Sequence, residues 1–97
     1  MSAKVCVVAG VGPGTGAALS RRFAAGGYRV AMLARDAQRL AALEREIEGS
    51  RGYAVDVTDA ARVKAVAERI RSDLGTPNVL LHNAVSGHFG EFLQVEP

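Results

Sequence analysis

Four short apolar runs alternate along the chain with stretches whose apolar residues recur every three or four positions. The first run, 5–8, reads Val-Cys-Val-Val, entered from Lys4 and ended by Gly10. A continuous apolar run of this length predicts a strand covered on both faces. Glycines crowd the loop over 10–16. A helix is predicted over 15–25, with Leu19 and Phe23 on one face and Arg21 and Arg22 turned away. Gly26-Gly27 ends it. Residues 29–34, Arg-Val-Ala-Met-Leu-Ala, form the second predicted strand. The second helix starts near Asp36, a good N-cap. It carries Leu40, Leu43 and Ile47 as apolar positions and stops at Gly49.

A short third strand is predicted over 52–55. Asp56-Val57-Thr58-Asp59 leads into the third helix, with Thr58 as its expected N-cap. Val63, Val66, Ile70 and Leu74 make that helix's apolar stripe, and Gly75 followed by Pro77 stops it. The fourth strand is predicted over 78–82, and a loop over 83–90 follows. Strands separated by helices of about three turns imply parallel pairing through right-handed crossovers. The expected fold is three-layer α/β/α, a partial doubly wound parallel sheet of order 3-2-1-4, with residues 1–97 as one domain.

Composition narrows the function classes. The apolar share of 48% is ordinary for a globular chain, and aromatics are only 5%, so Val, Leu, Ala and Ile must build the core. Net charge is +2, with arginines spread along the chain rather than gathered in a basic stripe. That argues against a nucleic-acid surface and leaves local phosphate binding open. The lone Cys6 cannot form an internal disulfide; it reads as a small buried hydrophobe in a reducing, cytoplasmic setting. The apolar runs fall well short of the roughly 18 residues of a membrane span. A signal peptide over 1–18 is disfavoured, because the apolar stretch is broken by Gly10, Gly12, Pro13 and Gly14.

The loop Ala9-Gly10-Val11-Gly12-Pro13-Gly14-Thr15-Gly16 carries the chemistry. Its glycines include the spacing G-x-x-x-G-x-G at 10, 14 and 16, between a predicted strand and a predicted helix. Gly10 lets the chain turn off the strand. Gly14 removes the Cβ that would hold backbone away from a pyrophosphate, and Gly16 lets the helix pack close to the sheet. The helix N-terminus then offers unpaired N–H groups to phosphate. A G-K-[ST] ending is absent, which disfavours ATP hydrolysis.

Further markers follow each later strand: Ala34-Arg35, Asp56-Val57 and Asn83-Ala84. With the glycine loop they make the chain, over essentially all 97 residues, resemble the short-chain dehydrogenases/reductases. The resemblance implies a Rossmann-like NAD(P)-binding half of an oxidoreductase that moves hydride between nicotinamide and a carbonyl or alcohol substrate. It implies that Gly10, Gly14 and Gly16 form the pyrophosphate loop, with Thr15 beside them among the cofactor-binding residues. Arg35 stands where members that prefer NADP carry a basic residue, and a guanidinium can hold a 2′-phosphate bidentately. Asp56 would accept from the adenine amino group, Val57 would line the adenine pocket, and Asn83 with Ala84 would lie by the nicotinamide ribose.

The sequence departs from the family pattern at three places. Ala9 replaces a usual Thr, Pro13 stands where many NADP users have a second basic residue, and the usual N-N-A-G reads His82-Asn83-Ala84-Val85. Asp36, 26 residues after Gly10, could instead hold a ribose 2′-hydroxyl for NAD. Its role as a helix N-cap is preferred, so NADP is ranked above NAD.

No catalytic residue is assigned. The family's Ser and Tyr-x-x-x-Lys set is missing, since neither Tyr28 nor Tyr53 has Lys four residues later. His82 and His88 lack a Cys or paired carboxylate at ligand spacing, so no metal site is expected. The arginines and glutamates of the second and third helices read as solvated faces. Glu96-Pro97 looks like the start of another helix, and the fourth strand would be an apolar sheet edge. The chain is therefore expected to be an inactive fragment of a longer enzyme, associating with its own kind through 78–82. The competing expectation is a non-catalytic nucleotide-binding or self-associating module.

Overall fold

The structure, a computed structural model, describes residues 4–10, 15–56 and 58–82. Four strands, β1 (Val5–Ala9), β2 (Arg29–Ala34), β3 (Ser50–Ala54) and β4 (Pro77–His82), alternate with three helices, α1 (Thr15–Ala25), α2 (Ala37–Glu46) and α3 (Ala60–Asp73). The strands are parallel, in the order β3-β2-β1-β4. This is the predicted sheet, and the side-chain period of two explains its layering. Val5, Val7, Ala31, Leu33 and Tyr53 face α3, against Val63, Val66, Ala67 and Ile70. Cys6, Val8, Val30 and Met32 face the other way, against Ala17 of α1 and Leu40, Leu43 and Ile47 of the α2 region. Both faces of the sheet are covered, which is why its strands read as unbroken apolar runs. Among the described residues no helix is long and apolar enough to cross a membrane.

Several local expectations shift. The cap of α3 is Asp59, not Thr58: the Asp59 carboxylate accepts from the Arg62 N–H at 3.2 Å. Thr58 is engaged elsewhere, since its N–H and hydroxyl both donate to Asp56 Oδ1, at 3.0 and 2.7 Å. That Asx-type turn holds Thr58 one residue ahead of the cap. Ile47 closes α2 as an extended C-cap rather than a helical residue, while its side chain stays buried. The outer strand β3 starts at Ser50, two residues earlier than predicted.

The larger correction concerns α1. Leu19 is only half-buried, and the helix meets the sheet through Gly16, Ala17 and Ser20. These small residues let α1 approach β1 and β2 closely. The buried Ser20 hydroxyl donates back to the Gly16 carbonyl at 2.9 Å, so no polar atom is stranded there. Phe23, partly buried beside this face, packs edge-on against Tyr28 with ring centroids 5.1 Å apart.

The outer edge of β3 is guarded. The Glu44 carboxylate of α2 accepts from the Gly52 N–H, and occupying an edge amide in this way blunts pairing with another chain. Glu46 of α2 also pairs with Arg21 of α1, tying the two helices of that layer.

Candidate functional site

The carboxyl ends of a parallel sheet gather whatever residues follow its strands. Here β1 is followed by Gly10, β2 by Arg35 and β3 by Val55 and Asp56. Gly10 has φ of +81°, the left-handed region where a Cβ is disfavoured, and its N–H donates to the Leu33 carbonyl of β2 at 2.9 Å. The turn off β1 is thereby pinned to the neighbouring strand. Thr15 heads α1, and Gly16 is buried in the helix's first turn, consistent with the close packing expected of it. The N-terminus of α1 lies at this same end of the sheet, and the first amides of a helix have no partner within it.

Arg35 and Asp56 are brought together. The Val55 N–H donates to the Ala34 carbonyl at 2.8 Å, which carries the β2–β3 pairing one step past β3. Arg35 Nη1 lies 3.9 Å from Asp56 Oδ2, with the arginine side chain 80% exposed and the carboxylate 45%. The two hydrogen bonds from Thr58, side chain first and backbone second, hold the Asp56 carboxyl below the usual carboxylate range, and the nearby Arg35 charge adds to this. Asp56 is thus an anion whose Oδ1 is committed to Thr58 and whose Oδ2 sits beside Arg35.

Arg35, Ala54, Val55, Asp56 and Arg62 line an open cleft of about 230 Å³. Arg62 was read from sequence as part of a solvated helix face, and the structure places it in the wall of this cleft. Its nearness to Asp59 was the available signal. A residue three positions after an N-cap lies on the first helical turn, beside the strand ends. Asp36 is occupied otherwise: it caps α2, accepting from the Arg39 N–H at 3.0 Å, with the Arg39 guanidinium 3.9 Å away. The expectations for Gly14, Val57, Asn83 and Ala84 lie outside the described residues, as does the Thr15 side chain.

A second groove of about 310 Å³ runs between α1 and α2, lined by Arg21, Ala24, Ala25, Glu46, Ile47 and Glu48. It lies at the far ends of both helices, away from the strand ends that carry Gly10, Arg35 and Asp56.

Residues 4–97 match the family model for short chain dehydrogenases. The chain belongs to the short-chain dehydrogenase family. D-threitol dehydrogenase from Mycolicibacterium smegmatis is 34% identical over 88 residues, which cover 87% of this chain and 34% of that protein. A metagenomic short-chain oxidoreductase solved in complex with NADP superposes with a TM-score of 0.80 at 36% identity, over 93% of this chain and 42% of that one. An actinorhodin polyketide ketoreductase variant solved with NADPH superposes with a TM-score of 0.82 at 26% identity, over 89% and 36% of the two chains. This short-chain dehydrogenase chain therefore spans about a third of the length of the dehydrogenase relative it matches.

Proposed function

We propose that this chain is the NADP(H)-binding portion of an oxidoreductase that moves hydride between nicotinamide and the carbonyl or alcohol of a small substrate. The observation that carries the reading is the juxtaposition of Arg35 and Asp56 at the ends of adjacent strands, walling one cleft. Asp56 is an acceptor suited to an adenine amino group, and Arg35 is an exposed cation suited to a 2′-phosphate. Gly10, Gly14, Thr15 and Gly16 would cradle the pyrophosphate, Val57 would line the adenine pocket, and Asn83 with Ala84 would border the nicotinamide ribose.

The structures solved with NADP and NADPH support the choice of cofactor by likeness. The commitment of Asp36 to capping α2 supports it again, because a capping carboxylate is a poorer partner for the ribose 2′-hydroxyl of NAD. The cofactor supplies the hydride; the residues of this chain bind and orient it. With no Tyr-x-x-x-Lys set among its 97 residues, the chain alone is expected to bind without turnover. A reducing cytoplasmic setting fits the buried free thiol of Cys6.

Separate calorimetric titrations with NADPH and NADH test the proposal. Tighter binding of NADPH is the expected outcome, and binding of neither nucleotide overturns it. The alternative of a self-associating module draws on β4. Its Val79, Leu80 and Leu81 are only partly buried, and among the described residues it pairs on one side alone, with β1. Light scattering during the same titrations separates the readings, because a dimer that binds neither nucleotide favours the second.

A further inference from the structure

Arg35 by itself is a weak anion site. Its guanidinium faces the Asp56 carboxylate at 3.9 Å, and that carboxylate is kept ionised by Thr58. A phosphate monoester carries close to two negative charges at neutral pH. One cation already shared with a carboxylate leaves such a group under-compensated, and Asp56 repels it.

The cleft holds a second cation. Arg62 lines it from the first turn of α3, as Arg35 does from the end of β2. Its backbone amide and its guanidinium both face one carboxylate. The Asp59 carboxylate that accepts the Arg62 N–H at 3.2 Å also stands 3.7 Å from Arg62 Nε. Arg62 adds a second guanidinium to the cleft wall; each guanidinium has one carboxylate beside it, Asp56 and Asp59, so a phosphate would draw on two partly shared cations rather than one.

We propose that Arg62 is a specificity-determining residue: it meets the adenosine 2′-phosphate of NADP(H) from the α3 side while Arg35 meets it from the β2 side. The inference rests on the NADP(H) reading above and goes beyond it by naming a second phosphate partner. It also accounts for how a chain with Pro13 in its glycine loop can favour a 2′-phosphate, by taking the second positive charge from α3.

The test compares Arg62→Gln and Arg35→Gln with the unaltered protein, using NADPH and NADH, and then 2′,5′-ADP and 5′-AMP, as calorimetric probes. Arg62 is 76% exposed at its side chain, so Arg62→Gln should leave the thermal midpoint in place. The expected result is roughly ten-fold weaker binding of NADPH and 2′,5′-ADP to Arg62→Gln, in the range of a charge-assisted hydrogen bond. Binding of NADH and 5′-AMP should stay within about two-fold of the unaltered protein, well inside that range. The loss should shrink as salt is raised, as expected of an exposed charge pair. Equal losses for both members of each pair would show that Arg62 touches the common adenosine, and would overturn the inference. So would unchanged binding of all four probes. If Arg35→Gln discriminates between the pairs and Arg62→Gln does not, this inference falls and the NADP(H) reading stands. If the unaltered protein shows no preference for the 2′-phosphorylated probes, the reading falls and takes this inference with it.

Discussion

Arg35 Nη1 and Asp56 Oδ2 lie 3.9 Å apart, although 20 residues of helix, turn and strand separate them in the chain. The parallel register that sets Ala34 against Ala54 delivers them to the same end of the sheet. Neither is pinned by the other, because both are well exposed and an exposed pair of this kind is worth little by itself. Their value lies in what they present together. Arg35→Asp would turn the cation into a second carboxylate beside Asp56. NADPH binding should weaken by about 1–3 kcal/mol, the range for hydrogen bonds to charged groups, with NADH less affected. Calorimetry with both nucleotides checks this, and equal losses would refute a 2′-phosphate role for Arg35.

Gly52 shows how tightly α2 lies on β3. A Cβ built at Gly52 would fall 2.7 Å from the Leu40 Cβ, closer than real carbon contacts allow. Leu40 is 3% exposed and is held in the core cluster of its layer, so it cannot swing out of the way. Gly52→Ala should therefore destabilise the fold by about 1–3 kcal/mol through overpacking. A urea titration that left the midpoint unchanged would show that α2 slides outward at no cost.

The elements were legible because the sheet is covered on both faces. Runs such as Val-Cys-Val-Val have only one comfortable place, and the helices between them announce themselves through Leu40, Leu43, Val63, Val66 and Ile70. Arg35 and Asp56 were singled out through the family resemblance, and the parallel register brings the two residues to one end of the sheet. What escaped was set by proximity rather than pattern. Thr58 and Asp59 are equally good caps by type, and only the competing acceptor on Asp56 decides between them. Arg62 is solvated as the pattern predicts, and only the fold sets it in the wall of one cleft with Arg35. On α1, Phe23 packs inward and Arg21 and Arg22 turn out as the periodicity predicts, but Leu19 stays half-buried, because a helix pressed close to a sheet selects small residues such as Ala17 and Ser20 there.

That last difference is itself testable at Leu19 and Ser20. Ser20 is fully buried and Leu19 only half-buried. Ser20→Leu would put three carbon atoms in place of one oxygen in the buried α1–sheet contact, at an expected cost of about 3 kcal/mol, the upper end for overpacking. Leu19→Ala removes three carbon atoms, but from a partly solvated position, and should cost about 1 kcal/mol, a typical value for a point substitution. Thermal unfolding of the two variants gives the order directly. If Leu19→Ala proved the more damaging, α1 would have to turn its larger residues toward the sheet.

The alkaline limit of the fold should be set by two groups that lose protons less readily when folded. Burial pushes the Cys6 thiol from 9.0 up to about 11. Burial first, and then the hydrogen bond that the Tyr53 hydroxyl donates to Asp73 Oδ2 at 2.9 Å, pushes Tyr53 from 10.0 up to about 12. In each case the folded chain keeps a proton that the unfolded chain has already released. Unfolding is then favoured by rising pH. The contribution is whole below pH 9.0, fades for Cys6 between 9.0 and about 11, and fades for Tyr53 between 10.0 and about 12. The urea midpoint should accordingly hold steady from pH 7 to 8.5 and fall above pH 9. Tyr53→Phe should cost about 1 kcal/mol at pH 7 through the lost hydrogen bond and flatten the fall above pH 10. Cys6→Ala should flatten the earlier part of the same fall. A midpoint that rose between pH 9 and 11 would mean that the thiolate is stabilised inside the sheet, contrary to its apolar surroundings of Val8, Val30 and Met32.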